Sequence, residues 1–325
     1  MEDVAARAGV SRGTVSRVLN GGDRVSGPTF DAVRLAIQET GYVVNQHARS
    51  LVTHRSDSVA FVLSEPQDHL FEDPNFSVLL RGCSEALALH GIMLLVSIAS
   101  TDEECRRVSR YISGGHFDGA LLVSNQATNP LLNDLAAGGL PLVTCGRPVG
   151  HERNIAYVAA DDRDGARQVV TYLAGKGRKR IATITGPRGL SCGDDRLAGY
   201  RDVLGEPDPR MVVSAPFSRD GGVLAMRQLL RQAPDLDAVF AASDLLAAGA
   251  IDELHATGRK VPDDVAVAGF DDSKIALTTD PPLTTTRQPF DRISSEMVRL
   301  LLARLAGEPP SAAILPTELM VRASA

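Results

Sequence analysis

The sequence lacks the features that mark membrane and exported proteins. Its longest obvious apolar stretch, residues 91–99, is far shorter than the roughly 20 residues that a membrane-spanning helix needs. Residues 1–20 show no basic segment followed by an apolar segment and a small-residue cleavage site, the pattern of an export signal. We therefore expect a cytoplasmic protein with no membrane partner, and a secreted solute-binding protein is the weaker alternative.

Metal-binding and catalytic motifs are also missing. The four cysteines lie far apart with no Cys-x-x-Cys pair, and the seven histidines show no metal-ligand spacing. No Gly-x-Ser-x-Gly nucleophile elbow occurs. The adjacent carboxylates Asp271 and Asp272 have no candidate base or nucleophile near them in sequence, so we do not favour hydrolysis of a bound sugar. We predict a protein that is not an enzyme and holds no metal or cofactor.

Length and charge indicate a chain of several domains that differ in charge. A length of 325 residues is typical of two or three domains. Residues 1–55 carry seven arginines against five acidic residues, a formal charge of +2. The rest of the chain carries a formal charge of −8, which gives the net charge of −6. A mildly basic head on an acidic body fits a protein that contacts phosphates at one end.

The first 20 residues predict two short helices joined by a tight turn. Gly9 suits the left-handed residue that ends a helix, and Ser11 suits the N-cap of the next one. In the second helix Val15, Val18 and Leu19 share one face, on which they would pack against Val4, Ala5 and Ala8 of the first helix. The opposite, polar face is formed by Ser11, Arg12, Gly13, Thr14, Ser16, Arg17 and Asn20.

This arrangement is that of a helix-turn-helix, whose second helix enters the DNA major groove. Arginine can bond guanine through two donors, and Ser, Thr and Asn can bond phosphates or base edges. A third helix is predicted from Ser26-Gly27-Pro28 onward, with Phe30, Val33, Ile37 and Tyr42 as its apolar stripe. An ordinary surface helix pair is the alternative for these residues alone.

From Val59 onward short apolar strands alternate with amphipathic helices, which indicates parallel sheets covered on both faces. Strands are predicted at 59–63, 92–98, 119–123, 140–144, 157–158, 181–185, 238–242 and 265–270. Helices are predicted at 76–89, 103–112, 130–137, 164–174, 198–204, 223–231 and 245–255, with Gly221-Gly222 read as a loop. Two such runs predict an α/β body built of two doubly wound halves.

Several motifs, in the same order, resemble the lactose/galactose repressor family of bacterial transcription regulators. In the head they are residues 2–5, 14–20 and 48–51; in the body they are residues 164–167, 179–182, 196–200, 261–272 and 282–289. The resemblance covers essentially the whole chain. It implies a helix-turn-helix head (1–44), a hinge helix and linker (45–56), and a two-lobed, periplasmic-binding-protein-like body (57–325). The N-lobe would comprise about 57–158 and 289–315, and the C-lobe about 159–288 and 316–325.

The resemblance also assigns site residues. Members of the family insert a hinge leucine into a minor-groove base step, as other kinking proteins do. Here that match falls on Leu51, with Asn45, Ala48 and Arg49 beside it in the hinge. The ligand would lie between the lobes at the carboxyl ends of the strands. The implied ligand-binding residues are Phe76, Ser124, Cys192, Arg196, Ser243, Asp271 and Phe290.

We therefore predict a ligand-responsive, sequence-specific DNA-binding transcription regulator, most often a repressor in this family. It would bind a near-palindromic double-stranded operator as a homodimer, because operator symmetry mirrors protein symmetry. The effector would be a sugar or a related small metabolite. A purine-type corepressor is the alternative, and for Arg196 and Asp271 a purely structural pairing with neighbours also stays open.

Overall fold

The computed structural model describes residues 1–19, 25–42, 55–64, 71–123 and 130–325. These form two compact units, residues 1–56 and 57–325. None of the described helices is long and apolar enough to cross a membrane.

The described residues of the first unit form three helices: α1 (Glu2–Ala8), α2 (Arg12–Leu19) and α3 (Gly27–Thr40). Gly9 ends α1 with φ 65°, and the Ser11 hydroxyl accepts from the Thr14 backbone N–H at 3.2 Å, both as predicted. The Ser26 hydroxyl lies 2.8 Å from that of Thr29 and makes no backbone capping bond. The small core consists of Val4, Ala5, Val15, Val18, Val33 and Ala36.

The second unit contains two parallel sheets. The strands of these two sheets are β1 (Ser58–Leu63), β2 (Met93–Ile98), β3 (Gly119–Val123), β4 (Leu142–Cys145), β5 (Ala156–Ala160), β6 (Ile181–Thr185), β7 (Val212–Ser214), β8 (Ala238–Ala241), β9 (Ala266–Ala268) and β11 (Ala312–Leu315). The six-stranded sheet has the order β11-β5-β4-β3-β1-β2, and the four-stranded sheet has the order β7-β6-β8-β9. An antiparallel pair joins β10 (Thr285–Arg287) to β12 (Glu318–Met320).

Helices cover both faces of each sheet. They are α4 (Pro74–Ala88), α5 (Asp102–Tyr111), α6 (Pro130–Ala137), α7 (Asp162–Gly175), α8 (Ser191–Leu204), α9 (Arg219–Gln232), α10 (Asp244–Ala256) and α11 (Phe290–Leu305). The chain passes between the sheets three times: after β5, before α11, and between β11 and β12. The two doubly wound lobes predicted from the sequence are confirmed.

Two helix predictions were wrong in extent. Helix α8 begins at Ser191, seven residues before the predicted start at Ala198, and its first turns contain Gly193, Asp194 and Asp195. Acidic residues there complement the positive end of the helix dipole. Gly221 and Gly222 lie inside α9 rather than in a loop. The earlier start of α8 matters because it places Cys192 and Arg196 on one helix.

Glycines let α9 and α10 cross closely. A Cβ at Gly222 would lie 2.3 Å from the Leu246 carbonyl oxygen, and one at Gly249 would lie 2.0 Å from the Arg219 carbonyl oxygen. Atoms at such distances overlap, so the two backbones would have to separate. The crossing therefore requires glycine on both helices.

We expect Gly249→Ala to destabilise the protein by about 1–3 kcal/mol, the usual cost of overfilling a packed interface. The matched control is Gly175→Ala at the end of α7, where an added Cβ meets nothing within 4 Å. Thermal unfolding followed by circular dichroism compares the two. Equal melting temperatures would show that the crossing tolerates a methyl group.

Candidate functional site

Helix α2 presents the predicted polar face. Val15 and Val18 are buried in the core of the head, whereas Ser11, Arg12, Gly13 and Arg17 are exposed and Thr14 and Ser16 are half-buried. The Arg12 guanidinium forms an ion pair with Glu2 at 2.8 Å, and Arg17 Nε donates to the Gly13 carbonyl at 3.2 Å. Both arginines are on the surface, so exchanging these contacts for phosphates or bases costs little.

Some predicted site residues lie outside the described part of the chain. They are Asn20, Asn45, Ala48, Arg49, Leu51 and Ser124. Their assignments remain predictions.

The body contains a cleft between its two sheets, lined by residues at the carboxyl ends of strands. The space between its walls that holds no protein atoms is about 1010 Å³, a volume that includes open solvent. Val123, Cys145 and Ala160 at strand ends line one side, and Ser243 and Asp271, which follow β8 and β9, line the other. The structure brings six of the predicted ligand residues to this cleft: Phe76, Cys192, Arg196, Ser243, Asp271 and Phe290.

Arg196 is buried at the centre of the cleft wall. Its Nε and Nη2 each lie 2.8 Å from Asp162 Oδ1, and Nη1 donates to the Ala242 carbonyl at 2.5 Å. The guanidinium carbon lies 3.8 Å from the centre of the Phe270 ring, a cation–π contact. Burial alone would lower the pKa of Arg196, but Asp162 and Asp271 raise it above its ordinary value. The group stays a cation with a fixed orientation.

Asp271 faces the same cavity from the end of β9. Its backbone has φ 117°, a conformation that non-glycine residues rarely adopt. One carboxylate oxygen accepts from the Gln288 amide at 2.6 Å and lies 3.6 Å from Arg196 Nη1. Burial raises the pKa of Asp271 well above its ordinary value, an effect that Arg196 opposes. The two side chains pair with neighbours and also line the cleft, so their contact with a ligand stays a prediction.

Asp272, the neighbour of Asp271, forms ion pairs with two arginines. Its carboxylate binds the guanidinium groups of Arg287, at 2.7 Å, and Arg322. These contacts tie the loop after β9 to the strand pair β10 and β12. The adjacent carboxylates therefore do not act as one acid–base pair.

The other predicted cleft residues have structural contacts as well. Ser243 caps α10 by accepting from the Leu246 N–H at 3.2 Å. Burial raises the pKa of the Cys192 thiol to about 12. Phe76 and Phe290 line the cleft while also packing against the core beneath the six-stranded sheet.

Sequence reasoning missed several residues that line the cleft. They are Asp73, Asn75, Asp162, Ser191, Phe217 and Gln288. For Asp162 the available signal was its position directly after β5, at a strand end that should face the ligand. For Asp73 the signal was an acidic N-cap before Pro74. Within the described residues, no group of three or more acidic, histidine or cysteine side chains could hold a metal ion.

Comparison with known proteins settles the family. A model of the lacI family of bacterial regulatory proteins matches residues 1–45, and one of the periplasmic binding protein-like domain matches residues 170–325. The transcriptional regulator CelR of Thermobifida fusca is 46% identical over 331 residues, which cover 100% of this chain and 97% of CelR. The chain belongs to the lacI family.

Solved structures of lacI-family proteins agree with this fold. A complex of the regulator CelR with cellobiose superimposes with a TM-score of 0.81 at 44% identity, covering 100% of this chain and 99% of the other. The lac repressor dimer bound to operator and the anti-inducer ONPF gives a TM-score of 0.85 at 26% identity, covering 99% and 97%. The predicted family, fold and function as a DNA-binding transcription regulator are confirmed.

The exposed face of α2 generates the first functional prediction. We expect Arg17→Ala to weaken binding to a specific operator duplex by about 10-fold, the order of one good base contact. The matched control is Arg110→Ala, which removes an exposed arginine from α5 in the body. Fluorescence anisotropy with a duplex selected by the full-length protein from a random pool measures both. Equal binding by the two variants would remove Arg17 from the interface.

Proposed function

We propose that this chain is a cytoplasmic repressor whose effector is cellobiose or a closely similar neutral disaccharide, bound in the cleft around Arg196 and Asp271. The observation that carries the proposal is that this cleft combines aromatic rings with a few hydrogen-bonding side chains, together with 44% identity over the whole chain to a regulator solved with cellobiose. The function requires binding and no catalysis.

The cleft offers what a sugar needs. Sugar hydroxyls both donate and accept, and here Arg196 and the Gln288 amide can donate while Asp73 and Asp271 can accept. Phe76, Phe217 and Phe290 supply apolar surface for the C–H faces of pyranose rings.

Residues on both sides of the cleft would contact a ligand of disaccharide length. A ligand that binds the two arrangements of the lobes unequally shifts their populations, and effector and operator affinity are then coupled reciprocally. We propose that this coupling acts through the hinge residues Asn45, Ala48, Arg49 and Leu51.

Full-length protein should bind cellobiose saturably in isothermal titration calorimetry, and the sugar should change its affinity for the selected operator duplex. We expect Asp271→Asn to weaken cellobiose binding by about 10- to 100-fold, the value of a hydrogen bond to a charged group. Operator binding without sugar should not change.

The control variant is Asp202→Asn, which removes an exposed carboxylate on α8, remote from the cleft lining. Binding of hypoxanthine or guanine in place of cellobiose would favour the purine alternative. An Asp271→Asn protein with normal cellobiose affinity would remove Asp271 from the site.

We further propose that the protein acts as a homodimer, as the lac repressor does in its operator complex. The edge strand β2 exposes Met93 (66%), Leu95 (42%) and Val96 (47%). An apolar, unpaired sheet edge of this kind is a liability unless something covers it. A second copy of the chain would cover this edge.

We expect Leu95→Glu to shift the protein toward monomer and to weaken operator binding at least tenfold, because one head then binds alone. The matched control is Ile314→Glu on β11, the opposite edge of the same sheet, where Ile314 is 52% exposed. Light scattering coupled to size-exclusion chromatography gives the mass. A dimeric Leu95→Glu protein would show that β2 is not the interface.

A further inference from the structure

We propose that Asp162 is a specificity-determining residue, which neutralises Arg196 and keeps the cleft selective for uncharged sugars over sugar acids and sugar phosphates. The inference deepens the proposed function and rests on it for the choice of test sugar.

The contacts identify Asp162 as the direct counter-ion of Arg196. Asp162 Oδ1 accepts from Nε at 2.8 Å and forms an ion pair with Nη2 at the same distance, whereas the nearest oxygen of Asp271 is 3.6 Å from Nη1 and accepts from Gln288 instead. Nε and Nη2 form the edge with which arginine grips carboxylates and phosphates through two parallel bonds. Because Asp162 occupies that edge, an anionic ligand cannot use it.

Burial makes the neutralisation effective. The side chains of Arg196 and Asp162 are 5% and 9% exposed, so solvent screens neither charge well. Two further carboxylates, Asp73 and Asp271, line the same cavity. An incoming anion therefore meets an arginine whose charge Asp162 already balances. A neutral sugar needs no counter-charge and meets hydrogen-bonding groups and aromatic rings.

Asp162→Asn isolates the charge. Asparagine keeps the size of the side chain and an oxygen that can accept from Arg196, but it leaves the cation without its counter-ion. The matched control is Asp161→Asn, one residue earlier, where the carboxylate caps α7 by accepting from the Asp164 N–H at 3.0 Å. Asparagine caps helices as well as aspartate does, so this control removes one charge without a structural penalty.

The first measurement uses full-length protein and two ligands, cellobiose and cellobionate, in which oxidation has opened the reducing-end ring and left a carboxylate; the shape difference is the same for every variant, so a shift of the ratio between variants reports charge. The wild-type protein should prefer cellobiose. We expect Asp162→Asn to shift the ratio of the two dissociation constants toward cellobionate by about tenfold or more, the effect of removing one nearby buried charge. Asp161→Asn should leave the ratio at its wild-type value. A ratio that Asp162→Asn does not move, or that both variants move equally, would overturn the inference.

The second measurement needs no sugar, because Cys192 lines the same cleft one helical turn before Arg196. Iodoacetate, an anion, and iodoacetamide, which is neutral, alkylate the same thiolate. The ratio of their rates at Cys192, followed by peptide mass spectrometry, therefore reports the local potential independently of the thiol pKa. Asp162→Asn should raise the iodoacetate-to-iodoacetamide ratio several-fold, and Asp161→Asn should not.

The two measurements separate the two proposals. If wild-type protein binds neither sugar, the proposed effector is wrong, and the alkylation ratio still decides the role of Asp162. An unchanged alkylation ratio in Asp162→Asn would overturn that role even if cellobiose is the effector.

Discussion

The effector cleft depends on a buried arginine that the protein must hold as a cation. Arg196 contacts α7 through Asp162, the end of β8 through the Ala242 carbonyl, and the end of β9 through Phe270 and Asp271. A buried charge is tolerated when it is paired and its donors are satisfied. These partners come from separate segments of the C-lobe, so the cleft wall forms as a unit when those segments come together.

Strand topology explains why these partners meet. In a parallel sheet the carboxyl ends of all strands share one edge, and the helix that follows each strand begins there. Ser243 lies two residues beyond β8 and Asp271 three residues beyond β9, and Asp162 is the first residue of the helix that follows β5. The cleft therefore collects polar side chains and helix N-termini from segments that are far apart in sequence.

Features that depend only on neighbouring residues could be predicted from the sequence. Gly9 and Ser11 act through their own backbone and the next helical turn, so their structural roles could be read directly. Asp271 and Arg196 were found through resemblance to a known family. Asp162 was missed because its importance comes from Arg196, 34 residues away, and no short-range pattern encodes that pairing. Helix α8 was predicted too short for a related reason, since Asp195 in its first turns pairs with Arg147, 48 residues earlier in the chain, and no local pattern encodes that contact.

The distribution of charge disfavours anionic ligands in two places, across the body and inside the cleft. The head carries a formal +2 and the rest of the chain −8, which favours DNA contact by the head and disfavours it elsewhere, because the phosphate backbone dominates nonspecific affinity. Inside the body, the carboxylates around Arg196 disfavour anions in the cleft. Many metabolites are phosphorylated or acidic, and affinity for a neutral sugar alone would not exclude them. Specificity is a difference between affinities, so the groups that repel the wrong ligand matter as much as those that bind the right one.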